Sequence, residues 1–213
     1  MTTTPLVIVG AGGFGREVLD VVEAINESGS IYDVLGFVDD NPQSEELLAR
    51  RHIRLLGPVE ALAEVDAEYA LGIGSGPVRA RLDELATEWG RQAALLVHPS
   101  ATFGSEYVLG AGTVVTAGVR ITTNIVIGRH VHLNLNTTVG HDVRIDDYVT
   151  VNPGATISGN VVLEREVSIG TNAAIIQGVT VGRGTIVGAG AVVVRDLPSG
   201  VTAVGVPARP LNR

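Results

Sequence analysis

Two grammars in one chain predict an N-terminal α/β domain, a Rossmann-like half, followed by a parallel β-helix of hexapeptide repeats. Three observations carry this fold class. Residues 6–98 alternate short β-branched runs with amphipathic segments. From Phe103 to Val193 an apolar residue recurs at every sixth position without a gap. Finally, 27 of the 213 residues are glycine while only 4% are aromatic, so the interior is built from small repeated units instead of large rings. The boundary falls at His98-Pro99, giving domains 1–98 and 99–213.

The first domain reads element by element. Leu6-Val-Ile-Val9 is a strand that runs into the glycine-rich turn Gly10 to Gly15. Val18, Leu19, Val21, Val22 and Ile25 then form one helical face. Val34 to Val38 is a second strand, ended by the turn signal Asp39-Asp40-Asn41-Pro42. A short helical piece follows Gly57-Pro58-Val59. Tyr69 to Ile73 is a third strand, Pro77 to Trp89 a helix, and Ala94 to Val97 a last strand.

The second domain is more explicit. The sixfold series runs Phe103, Leu109, Val115, Ile121, Ile127, Leu133, Val139 and onward, sixteen apolar residues in all. Two positions earlier lies a register of small or β-branched residues such as Ala101, Thr113, Val119 and Ala155. Three hexapeptides make one triangular coil, with the aliphatic residue pointing inward and a turn at each corner. A prism this narrow holds no ligand. Its active site therefore belongs on an outer face or between prisms, which favours an oligomer, with a cyclic trimer the natural arrangement to expect.

Charge and composition exclude several classes. The formal net charge of −8 supplies no broad basic footprint for nucleic acid. The absence of cysteine removes disulfides, thiolate metal sites and a cysteine nucleophile. The stretch Met1 to Pro5 lacks a signal-peptide pattern and no apolar run has membrane-spanning length, so a cytoplasmic protein without membrane contact is expected.

The hexapeptides, the ending Val204-Gly205-Val206-Pro207-Ala208-Arg209, the turn Gly10-Ala11-Gly12-Gly13-Phe14-Gly15 and Asp39-Asp40 together resemble one family along essentially the whole chain. It is the sialic acid O-acetyltransferase (NeuD) family, in particular its PglD-like members that N-acetylate nucleotide-linked amino sugars. The resemblance implies a left-handed coil, acetyl-CoA as cosubstrate, no metal, and a homotrimer with active sites between subunits. The implied acceptor is a UDP- or dTDP-linked 4-amino-4,6-dideoxyhexose.

Acetyl transfer to an amine or hydroxyl needs a general base and a donor for the oxyanion. Of five histidines, His52 sits in a charged surface segment and His98 at the domain junction, while His130 and His132 lie two apart in a coil. His141 is the candidate base. The family's base is a histidine followed by an acidic residue, matched by His141-Asp142. Independently, an 18-residue coil sets Gly159 directly beside His141, where a bare peptide N–H can approach a thioester oxygen.

The resemblance further assigns Asn134, seven residues before the base, to the acceptor. It assigns Thr150, Thr171 and Ala189 to acetyl-CoA, with Arg195 and Arg209 as phosphate contacts. Several relatives carry a second histidine where Thr150 stands. Other asparagines of the coils read as structural amide ladders. In the first domain, Gly10, Gly12 and Gly15 satisfy G-x-G-x-x-G between strand and helix, a place for phosphate. The resemblance puts Gly12, Gly13 and Phe14 near sugar and phosphates, Asp39 and Asp40 on the nucleoside, and Gly74 at the next strand end. Relatives often have histidine at the position of Phe14.

Other readings fit less of the chain. A NAD-dependent dehydrogenase would need a full-size dinucleotide fold. A gamma-type carbonic anhydrase would use His130, His132 and His141 on zinc, which metal analysis separates. O-acetylation of a sialic acid or related sugar shares fold and base with N-acetylation. A non-enzymatic scaffold would release no thiol from acetyl-CoA.

Overall fold

A computed structural model describes residues 3–42 and 45–211. Met1 and Thr2, part of the N-terminal stretch read above, lie outside them. The chain divides into two compact units, Met1–Pro99 and Ser100–Arg213.

In the first unit, Leu6, Val7, Ile8 and Val9 are all buried, so the strand β1 (Thr4–Val9) is central rather than at an edge. Helix α1 (Gly13–Gly29) buries Val18, Leu19, Val21, Val22 and Ile25, the face the sequence picks out. Then come β2 (Tyr32–Val38), a short helix α2 (Glu45–Ala49), β3 (Leu55–Gly57), a 3-10 turn (Val59–Glu64), β4 (Glu68–Leu71) and α3 (Gly76–Glu88). The four strands form a parallel sheet in the order β3-β2-β1-β4.

Two of the sequence boundaries need correction. The expected third strand, Tyr69 to Ile73, is the fourth and stops at Leu71, just before Gly72, whose backbone lies hard against Gly15 of α1. The expected last strand, Ala94 to Val97, is regular only over Leu96–Val97. The segments β3 and α2 carry no sequence signal that predicts them. Where β1 meets α1 the backbones nearly touch: a Cβ on Gly15 would lie 1.8 Å from the Gly10 carbonyl oxygen, and one on Gly72 would lie 2.4 Å from the Gly15 Cα.

The second unit is a left-handed parallel β-helix whose strands pair across 18 residues, as in Thr138↔Thr156 and Val139↔Ile157. Two-residue strands dominate because each side of the triangle has room for little more. One face carries Tyr107–Leu109, Ile125–Ile127, Arg144–Ile145, Val162–Leu163 and Thr180–Val181 in order. A second carries Val114–Val115, His132–Leu133, Thr150–Val151, Ser168–Ile169, Ile186–Val187 and Thr202–Val204. The third runs from Thr102–Phe103 to Val192–Val193.

From Val115 to Val193 the inward sixfold series is buried throughout. The smaller inward register is buried too, and its threonines are satisfied: Thr113 donates to the Gly128 carbonyl at 2.9 Å and Thr137 to that of Asn134 at 2.6 Å. After Val193 the period shortens. Ile186 pairs Thr202 across 16 residues, and Arg209–Pro210 folds back antiparallel to Thr202–Val204.

The asparagines do not form amide ladders, contrary to expectation. Asn152 Nδ2 donates to the Ile169 carbonyl at 2.8 Å, as the Thr116 hydroxyl does to Leu133 at 3.2 Å. Asn136 and Asn172 adopt left-handed corners and lie over Gly118 and Gly154, so asparagine and glycine alternate along the column. A side chain folded over its neighbour's Cα needs that neighbour to have no Cβ.

Candidate active site

His141 lies at the corner between the strands Thr138–Val139 and Arg144–Ile145, with half of its side chain exposed. Its ring covers Gly159 one coil on: a Cβ there would stand 2.5 Å from both Cε1 and Nε2. The other ring nitrogen, Nδ1, contacts Asp142 Oδ2 at 2.7 Å. Asp142 occupies the left-handed region, φ 59°, which asparagine and aspartate tolerate. That turn swings its carboxylate back toward its own neighbour.

An ionised Asp142 only accepts, so His141 donates from Nδ1 and leaves the Nε2 lone pair free. The Asp142 carboxyl is held below the ordinary carboxylate value, first by the Asn124 amide and then by its bond to His141. Asn124 Nδ2 reaches Asp142 Oδ1 at 2.6 Å. Sequence reading missed Asn124, although the signal was available: the coil arithmetic that pairs His141 with Gly159 also pairs Asn124 with Asp142.

Arg195 is exposed at the corner that His141 and Gly159 occupy, three coils further on, a separation of about 14 Å at the usual strand spacing. The other expected residues of this unit stand elsewhere. Asn134 is at the preceding corner, 5% exposed, and its Oδ1 has no hydrogen-bond partner among the described residues. Thr171 and Ala189 follow at that same corner and are exposed. Thr150 is buried on the face between His132 and Ser168. Arg209 is exposed and bonds the Ala208 carbonyl. His130 and His132 are fully buried, and among the described residues no three or more His, Asp or Glu side chains gather as a metal site would require.

In the first unit a cavity of about 270 Å³ opens beside the glycine-rich turn, lined by Gly10, Asp39, Asp40, Val59, Glu60 and Arg81 among others. Asp39 spends both oxygens on backbone amides, Oδ2 on Ala11 at 2.7 Å and Oδ1 on Asn41 at 2.8 Å. It braces the turn. Asp40, which also lines the cavity, accepts from the Val59 amide through Oδ1 at 2.8 Å, and among the described residues its Oδ2 has no hydrogen-bond partner. Gly12, Phe14 and Gly74 do not line this cavity, and Gly13 lines a separate groove with Arg16, Arg50 and Arg51. Beyond the adjoining backbone, no heavy atom of the described residues stands within 4 Å of where a Cβ would lie on Gly12, Gly13 or Gly74. Buried Arg79 holds the carbonyls of Ile73 and Gly74, each at 2.9 Å. Among the described residues no helix is long and apolar enough to cross a membrane.

Comparison with known proteins agrees with this architecture. Residues 5–84 match the PglD N-terminal domain family. A GDP-perosamine N-acetyltransferase of Escherichia coli O157:H7 is 35% identical over 142 residues, 63% of this chain and 61% of that protein. The chain thus spans about three fifths of that curated relative. The acetyltransferase domain of PglB from Neisseria gonorrhoeae FA1090, solved with acetyl coenzyme A, is 33% identical with a TM-score of 0.90, covering 99% of this chain and 100% of that one. A histidine-to-asparagine variant of perosamine N-acetyltransferase from Caulobacter crescentus, solved with CoA and GDP-perosamine, is 32% identical with a TM-score of 0.90, covering 100% and 99%.

Proposed function

Because the chain belongs to the PglD-like branch of the NeuD acetyltransferase family, we propose that it N-acetylates a nucleotide-linked amino sugar from acetyl-CoA, with His141 as general base. One observation carries the mechanism: an imidazole tied at Nδ1 to Asp142, with its free edge over the Gly159 peptide.

The acceptor amine attacks the thioester carbonyl, forming a C–N bond. His141 Nε2 takes the amine proton. The Gly159 N–H donates to the oxygen as it gains negative charge. The C–S bond then breaks, and the proton passes from Nε2 to the departing thiolate, giving CoA and the amide. Arg195, further along the same corner, suits the phosphates of CoA, with Thr171 and Ala189 as further contacts.

The nucleotide belongs to the first unit. Gly12, Gly13 and Phe14 approach the sugar and phosphates at the start of α1, and Asp40 Oδ2 accepts from the nucleoside. Asp39 and Gly74 shape the two loops. Two of the relatives are named for GDP-perosamine, so GDP-linked acceptors join the UDP- and dTDP-linked ones expected from the sequence. The relatives named as perosamine N-acetyltransferases favour an amine over a hydroxyl as the acceptor.

The test is free-thiol release from acetyl-CoA with GDP-, UDP- and dTDP-amino sugars, their hydroxyl counterparts and free sialic acid. Turnover with an amino sugar, abolished in His141→Asn, is expected. Equal turnover in that variant removes the base, and turnover only with hydroxyl acceptors makes the enzyme an O-acetyltransferase.

A further inference from the structure

His141 and Asp142 are successive residues, and although the left-handed backbone at Asp142 turns its carboxylate toward the ring, rotation about the side-chain bonds is held only by a further contact. Asp142 has 43% of its side chain exposed, so packing does not fix it. Among the described residues its side chain has two hydrogen-bond partners, His141 on Oδ2 and Asn124 on Oδ1. Asn124 sits 18 residues earlier, in the same left-handed corner conformation, φ 57°.

We propose that Asn124 is a positioning residue: by holding Asp142 Oδ1 it keeps Oδ2 on His141 Nδ1, and so decides that Nε2 is the nitrogen left to take the proton. This rests on the function proposed above. Only Nδ2 of the amide donates, and an ionised carboxylate only accepts, so the contact has one polarity. It also favours the ionised acid, consistent with Asn124 being the first cause of the lowered Asp142 value.

The neighbours do not duplicate it. Among the described residues Asn160, in the next coil, makes no side-chain bond to Asp142, and the Ser105 and Thr123 hydroxyls below His141 bond each other at 2.9 Å. Two other charges stand in this column: Asp196, three coils beyond Asp142 and accepting from the Thr180 amide at 2.8 Å, and the nearer Glu106, one coil below Asn124. Its negative charge would push Asp142 away from that side, and the intervening amide shields it.

Two variants test the role. Asn124→Gly keeps the left-handed backbone and removes the amide, while Asn124→Asp keeps the shape and replaces the donor by a second carboxyl. Each is expected to lower kcat about 10-fold with KM for acetyl-CoA within about twofold of wild type, as loss of an outer hydrogen-bond partner does elsewhere. Melting temperature should fall by no more than it does in Asp142→Asn. In the imidazole nitrogen NMR spectrum the Nδ1–H form of His141 should give way to a tautomer mixture. In an Asp142→Asn background, Asn124→Gly should cost nothing further.

Wild-type kcat and tautomer in both variants would overturn the proposal, as would a fully multiplicative loss in the double variant. The tautomer is read without substrate. Failure of wild-type turnover would therefore sink the proposed function, while the spectrum would still decide whether Asn124 sets the tautomer.

Discussion

A methyl group at position 159 would occupy the space that the His141 ring now fills, 2.5 Å from two of its atoms. Gly159→Ala is therefore expected to displace the imidazole by about an ångström and cut kcat about 100-fold. The Gly159 main chain stays, so thermal unfolding should change little, and single-turnover kinetics with acetyl-CoA would check the pair of outcomes. Asp142 supports a pH prediction. Its folded value lies below the ordinary carboxyl value of 3.8, so its contribution to stability is present above that value and disappears as pH falls through the lower folded one. Wild type should exceed Asp142→Asn in urea midpoint at pH 7, and the gap should close as the pH falls below the ordinary carboxylate range and through the lowered folded value of Asp142. A gap that widens on acidification would contradict the hydrogen bonds of Asp142 to Asn124 and His141.

At the scale of elements, the coil is held by columns of inward aliphatics, and each is a place where a cavity cannot collapse. Leu163→Ala, fully buried in mid-helix, should lose about 2–5 kcal/mol by denaturant titration. In the first unit the equivalent constraint is a backbone crossing. Gly15→Ala drives a Cβ into the Gly10 carbonyl and should lose about 1–3 kcal/mol, toward the upper end because backbone cannot step aside. These elements also show what a sequence discloses. The sixfold series was legible because eighteen-residue coils repeat without insertion over Phe103 to Val193, leaving one register to read. His141 and Gly159 could be paired by the same count. The strand Leu55–Gly57 has three residues and the helix Glu45–Ala49 five, too short for either period to declare itself. The commitment of Asp39 to Ala11 and Asn41 was hidden for another reason. A carboxylate at a strand end reads the same whether it faces a nucleoside or the next turn's amides, and only tertiary geometry separates the two.

At the scale of the molecule, the residues assigned to one reaction stand at two corners of a single prism. His141, Asp142 and Gly159 share one corner, while Asn134 is at the preceding corner and Thr150 lies on the face beside it. One side of the triangle separates them, so a copy of the chain cannot bring its own Asn134 to its own His141. If both act on one acceptor, a second copy supplies the missing half, and a cyclic trimer, as the sequence leads one to expect, would do so at each of its seams. His141→Ala and Asn134→Ala are each expected to be nearly inactive alone. When the two are unfolded together in equal amounts and refolded, a trimer seam receives an intact histidine from one chain and an intact asparagine from its neighbour in about a quarter of cases, as random cyclic assembly requires. Recovery to about that fraction of wild-type turnover, in a species that light scattering shows to be trimeric, is the expected result. No recovery in mixed trimers would mean that each site draws both residues from one chain and would overturn their division between neighbouring copies, while full activity of Asn134→Ala alone would remove Asn134 from the acceptor site.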